Sequence, residues 1–150
     1  MTVHYQVDLC NPKAHEFLVS LWFECDKAQI ITLSLPAWIP GSYMIRDFAR
    51  NLLDLVATDQ NGEPLSLKKQ DKQTWQLDAS IGINRLQYRV YAYDESVRSA
   101  YFDMTRAYFN GTSLFLQVDG YTDLEHRLTL SPPTHSCMQD WRVATTLPAV

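Results

Sequence analysis

The sequence predicts an all-β domain, a two-layer antiparallel β-sandwich or saddle-like sheet of about nine or ten strands. Three observations carry that expectation. Apolar and polar residues alternate with a period of two in one run after another. The runs are short, and Asn-Pro, Pro-Gly, Asn-Gly and single Gly or Pro residues punctuate them. No long stretch keeps the apolar spacing of a helix. The 150 residues amount to one domain, and 46% hydrophobic with 20% charged residues is enough apolar chain for a core without staples.

Val3, Tyr5, Val7 and Leu9 alternate with His4, Gln6 and Asp8, which makes residues 3–9 a strand with one dry face. Asn11-Pro12 is a turn. Residues 15–25 alternate again, with Phe17, Val19, Leu21 and Phe23 on one side. The other side carries Leu18 and Trp22 among Glu16, Ser20 and Glu24, so cover on both faces is expected there. After Asp26-Lys27, residues 29–35 are β-branched and strand-like. A long loop fills 36–51. Residues 51–58 read as a strand, Asn61-Gly62 as a hairpin turn, and 64–69 and 73–79 as short strands. Leu86, Tyr88 and Val90 alternate with Arg85, Gln87 and Arg89 over 85–90. A second long loop, polar and aromatic, spans 95–111 and ends in Asn110-Gly111, read as a tight turn. Strands are expected over 112–118, 126–130 and 141–146, with Gly120, Pro132 and Pro133 as breaks. At most one short helical turn fits 45–50 or 123–126.

The net charge of −4 is spread evenly, and the one basic cluster, Lys68-Lys69-Gln70-Asp71-Lys72, is broken by an acid and reads as a solvated turn. Nucleic acid is therefore not an expected partner. Cys10, Cys25 and Cys137 are odd in number and irregular in spacing, which suits a reducing compartment better than a disulfide framework. There is no basic-then-apolar leader and no apolar run near the ~20 residues that cross a bilayer. A cytoplasmic protein with no membrane partner is the expectation.

No catalytic motif is complete in the sequence. The only His-Glu pair, His15-Glu16, is followed by Val19 where a zinc-binding helix needs a second His, and it sits in a strand pattern. His4, His126 and His135 have no ligand spacing, and Cys137 beside His135 lacks partners. Gly41-Ser42 lacks the context of a nucleophile elbow, and Asn110-Gly111-Thr112 is a glycosylation sequon of no consequence without secretion. No catalytic or metal residue is expected.

The remaining chemistry lies in the two loops. Pro36 and Pro40 stiffen the first, and Pro40-Gly41 fits the centre of a type II turn. Tyr43, Arg46, Asp47, Phe48, Arg50 and Asn51 follow. The second offers Tyr101, Asp103, Arg106, Tyr108 and Asn110. Two readings stand side by side. The charges pair within the domain and pin the loops, or the loops meet at one end of the sheets as a docking face or cleft wall. Trp22, Trp38 and Trp141 are expected in the core rather than as stacking platforms.

Residues 35–51, LPAWIPGSYMIRDFARN, resemble the signature of the glycyl aminopeptidase family, zinc metallopeptidases that usually carry a PDZ domain. Residues 101–116, YFDMTRAYFNGTSLFL, resemble that family's second block. Residues 3–9 resemble its opening strand, and Pro132-Pro133 with 141–148 its closing strand. The resemblance implies that 1–150 is a single non-catalytic N-terminal β domain. It implies that the zinc, the metal-activated water and the PDZ domain lie downstream of Val150. The implied partners are the catalytic domain of the same polypeptide and the N-terminus of a peptide substrate, with Gly and Ala preferred. A carboxylate such as Asp47 or Asp103 would take the substrate's ammonium. The alternatives are a free-standing β-sandwich binding module for peptide or carbohydrate, with exposed tryptophans, and a dimerisation domain with an apolar strand face at 85–93 or 112–118.

Overall fold

A computed structural model describes residues 1–131 and 135–150. Its strands, in chain order, are β1 (Thr2–Asn11), β2 (Glu16–Cys25), β3 (Gln29–Ser34), β4 (Leu52–Thr58), β5 (Leu67–Lys69), β6 (Thr74–Ala79), β7 (Gly82–Tyr91), β8 (Ala100–Phe102), β9 (Ala107–Phe109), β10 (Gln117–Val118) and β11 (Glu125–Leu130). One helical turn, α1 (Gly111–Leu114), and 3₁₀ turns at Phe48–Asn51 and Ser136–Met138 complete it. The all-β expectation is met.

β2 and β7 are the spine. They pair antiparallel from Glu16↔Tyr91 to Cys25↔Gly82. Around them a five-stranded sheet has the order β11-β1-β2-β7-β4, and a four-stranded sheet has the order β10-β3-β6-β5. β8 and β9 form a small hairpin. All pairs are antiparallel except β1 with β11, which run parallel.

The inward residues of both sheets form one core. Val3, Val7, Phe17, Val19 and Leu21 from the larger sheet join Ile31, Leu33, Trp75 and Leu77 from the smaller. Each such side chain contributes roughly 1.5–3 kcal/mol by leaving water. Two tyrosines tie the sheet to the segment after α1. The Tyr5 hydroxyl donates to the Leu116 carbonyl at 2.8 Å, and the Tyr88 hydroxyl donates to the Leu114 carbonyl at 2.7 Å. The Tyr88 oxygen also accepts from the Leu116 amide at 3.2 Å. Burial pushes the Tyr5 phenol up to about 12 and the fully buried Tyr88 higher still.

Several expectations need correcting. Residues 112–118 are not one strand. Asn110 caps a helical turn instead, its Oδ1 accepting from the Thr112 amide at 3.1 Å and the Thr112 hydroxyl at 2.7 Å, and only Gln117–Val118 is strand. Residues 141–146 form no strand; Trp141 packs edge-on against Phe102 with centroids 6.4 Å apart. The loop over 95–111 contains the β8–β9 hairpin. The helical turn expected over 45–50 falls at Phe48–Asn51. The closing-strand reading at Pro132-Pro133 lies outside the described residues. The Asn61-Gly62 turn is present, with Gly62 at φ +86° and the Asp59 amide donating to the Glu63 carbonyl at 2.9 Å.

Candidate functional site

The first loop joins β3 of the smaller sheet to β4 of the larger. Its apex is a turn over Ile39, Pro40, Gly41 and Ser42, closed by the Ser42 amide donating to the Ile39 carbonyl at 3.2 Å. Gly41 has φ +80°, which is what the third position of a type II turn requires. The base is closed by the Arg46 amide on the Ala37 carbonyl at 2.6 Å. Ser42 is buried and organises the interior: its carbonyl accepts from the Trp38 indole at 2.7 Å, and its hydroxyl accepts from Arg46 Nε at 3.4 Å. Ile39, Phe48 and Ala49 are buried anchors.

What this scaffold displays is apolar. Trp38 is 52% exposed, Met44 64%, Ile45 74%, and Tyr43 is wholly exposed. The core position expected for Trp38 is thus wrong, because its indole N–H is spent on the loop's own backbone and holds the ring at the rim. Trp22 and Trp141 are half-buried. These exposed side chains follow closely on a loop stiffened by Pro36 and Pro40.

The charges of this loop form no ion pair with one another, and Arg46 spends its Nε on the Ser42 hydroxyl. Asp47 stands at the N-cap of the Phe48–Asn51 turn, yet its side chain makes no capping bond. Asp47 and Arg50 are exposed. Among the described residues the ion pairs join Arg89 to Glu16 and Asp54, Arg106 to Glu95, and Arg127 to Glu125, and none involves Arg46, Asp47 or Arg50.

The second loop is the opposite case. Asp103 Oδ2 accepts from the Tyr101 hydroxyl at 2.7 Å. Its Oδ1 accepts from the Thr105 amide and hydroxyl, both at 2.7 Å, and from the Arg106 amide at 3.0 Å. Those donors, Tyr101 first, hold its carboxyl well below the usual carboxylate range. Arg106 pairs with Glu95 at 2.8 Å and lies over the Tyr101 ring at 4.8 Å. Tyr101 stacks on Tyr93 at 5.5 Å, and Tyr93 lies 4.1 Å from the His15 ring. Asn110 is committed to capping α1. The second loop therefore pairs its own charges, and the first does not.

Register brings the loops to one end of the larger sheet. Leu52, where the first loop ends, pairs with Val90, just before the second begins. The Phe48–Asn51 turn packs against α1. Among the described residues no hydrogen bond or ion pair joins Tyr43, Arg46, Asp47 or Arg50 to Tyr101, Asp103 or Arg106. Sequence reasoning missed the apolar rim of Trp38, Met44 and Ile45, although the apolar run Tyr43-Met44-Ile45 directly after a turn is visible in the sequence.

Comparison with known proteins gives a consistent picture. The model of the peptidase M61 N-terminal domain matches residues 4–150. A crystal structure of an aminopeptidase N family protein from Idiomarina loihiensis is 42% identical, with a TM-score of 0.90 over 97% of this chain. The chain spans 24% of that protein. M1 zinc metallopeptidase structures from Deinococcus radiodurans are similar only distantly. One is 12% identical with a TM-score of 0.43 over 77% of this chain and 27% of its own. Another, an E323A mutant bound to a Tyr-Ser-Ala substrate, is 10% identical with a TM-score of 0.41 over 69% of this chain and 24% of its own. A search of curated proteins found no match.

Proposed function

The chain belongs to the family of peptidase M61 N-terminal domains, and from that premise we propose that it is the accessory domain of a zinc-dependent aminopeptidase of the glycyl aminopeptidase type. In this reading it docks on the catalytic domain through the first loop and forms one wall of the substrate cleft. The observation that carries it is the apolar rim of Trp38, Tyr43, Met44 and Ile45 beside the Asp47 carboxylate and the Arg50 guanidinium, which form no ion pair among the described residues. On a rigid loop, Asp47 and Arg50, which are in no ion pair among the described residues, are available for a partner.

The same contrast separates the two carboxylates. Asp103 already accepts four hydrogen bonds, so a substrate ammonium would have to displace a donor. Asp47 accepts none as a cap and is exposed. Asp47 is therefore the acceptor assigned to the substrate's α-ammonium, with the catalytic domain supplying the desolvation that makes the pair strong. The zinc belongs to the catalytic part in this reading. The residues here do not fit that ion: among those described, no three His, Cys, Asp or Glu side chains converge. His15 Nδ1 is engaged by the Phe102 carbonyl and His126 Nδ1 by the Leu124 carbonyl. No step of hydrolysis is assigned to this domain.

The test is steady-state kinetics on the aminopeptidase that carries this domain. Asp47→Asn should weaken kcat/KM for a Gly-peptide by about 10- to 100-fold, the loss of one charge-assisted bond. Ile45→Ser with Met44→Ser should lower activity while leaving the melting temperature of the 150-residue chain unchanged. Unaltered kinetics in both variants would defeat the reading.

A further inference from the structure

The outward face of the five-stranded sheet, away from both loops, has a feature that the aminopeptidase reading does not use. Register aligns its side chains in rows. His4, Trp22, Arg85 and Thr58 form one row across four strands, and Gln6, Ser20, Gln87 and Val56 form the next. Ser20 is the smallest of these and lies in the middle of the sheet. The larger side chains around it leave a concavity of about 450 Å³. That is within the roughly 300–1,000 Å³ common for small-ligand sites.

Its lining is specific. The Trp22 ring is held upright by the His4 imidazole, parallel to within 1° at 5.2 Å. Gln6 is oriented by its bonds to Asp8 and Ser131, both at 3.0 Å. Among the described residues, Arg85 is the only charged one in the lining. Its neighbour Arg89 is neutralised by Glu16 and Asp54, whereas Arg85 has no ion-pair partner among the described residues; Glu24, on the same face, makes no ion pair with it. The β1, β2 and β7 strands beneath are hydrogen-bonded on both sides, so an added peptide strand has no ladder to join here. Recognition must come from side chains.

We propose that this concavity binds a carboxylated sugar, a uronic-acid unit of an oligosaccharide. The indole of Trp22 and the methyls of Val56 receive the apolar side of the pyranose ring. The Gln87 carboxamide presents a donor and an acceptor to adjacent hydroxyls, and Gln6, whose two amide protons go to Asp8 and Ser131, presents its carbonyl oxygen as an acceptor, with the Ser20 hydroxyl between them. The Arg85 guanidinium takes the carboxylate as a two-pronged pair. Charge decides for an acidic sugar over a neutral one, because a lone cation in a lining without carboxylates is complementary to one anion.

The experiment titrates trigalacturonate, maltotriose and a tri-glutamate peptide separately into the isotope-labelled 150-residue chain, followed by NMR. Trigalacturonate should give saturable shifts centred on Ser20, Trp22, Arg85 and Gln87, including the Trp22 indole N–H. Maltotriose, which lacks the carboxylate, should bind at least about 10- to 100-fold more weakly. Arg85→Gln should remove that preference, and Ser20→Gln, which fills the hollow from the solvent side, should abolish binding of both sugars. The proposal is overturned by absent or unsaturable shifts, by shifts elsewhere, by tri-glutamate binding as well as trigalacturonate, or by unchanged affinity in Ser20→Gln. None of these results depends on the first loop, so they stand apart from the aminopeptidase kinetics.

Discussion

Two aspartates of similar appearance in the sequence have opposite lives in the fold. Asp103 is surrounded by donors that favour its charged form. A carboxyl held low in the folded state adds stability above its unfolded value, about 3.9, and that stability is lost as pH falls through the lower folded value. The β8–β9 hairpin should therefore stay ordered at pH 4 and loosen only in stronger acid. Tyr101→Phe removes the principal donor and should move that acid transition upward, measured by carbon NMR of the Asp103 carboxyl. An unchanged transition would show that the hydroxyl does not govern the carboxylate. Sequence composition marked Asp47 and Asp103 equally as candidates. What separates them is a hydroxyl two residues away and a turn that aims two amides at one oxygen, neither of which a residue type encodes.

At the scale of elements, local chemistry overruled pattern twice. Thr112 to Val118 alternates well enough for a strand, but Asn110 offers Thr112 both a backbone and a side-chain bond, and capping starts a helical turn first. Asn110→Ala should cost about 1 kcal/mol, the usual loss on removing a cap, read from denaturant unfolding. The Pro40-Gly41 turn was legible because its requirement is purely conformational. A Cβ added at Gly41 meets nothing within 4 Å, so the cost of Gly41→Ala is the left-handed backbone alone. That cost is roughly 1–2 kcal/mol, and Gly41→Asn should recover part of it. A full-sized loss in Gly41→Asn would indicate a different turn. The strands themselves were legible wherever one face is dry, as in β1, β2 and β7. Which strands share a sheet was not, because alternation states a face and not a neighbour. The parallel placement of β11 beside β1 is the clearest example.

Across the whole molecule, the core is clamped by phenols rather than sealed by hydrocarbon alone. Tyr88 spans from the spine strand to the backbone at Leu114 and Leu116, and Tyr5 reaches the Leu116 carbonyl. Tyr88→Phe leaves a buried amide and carbonyl without that partner and should cost about 1–3 kcal/mol in chemical denaturation. Both phenols titrate above their unfolded value near 10, so the folded state keeps protons that the unfolded chain gives up. Stability is complete below pH 10 and falls as pH rises towards the folded values. Phenolate absorbance should accordingly show these two rings silent until the chain unfolds at high pH; their titration in the folded protein would contradict the clamp.

The strap over 36–51 leaves one layer and enters the other, with Leu35 fastened to the Gln73 carbonyl at one end and Leu52 to β7 at the other. A body that seizes its tip loads both layers together.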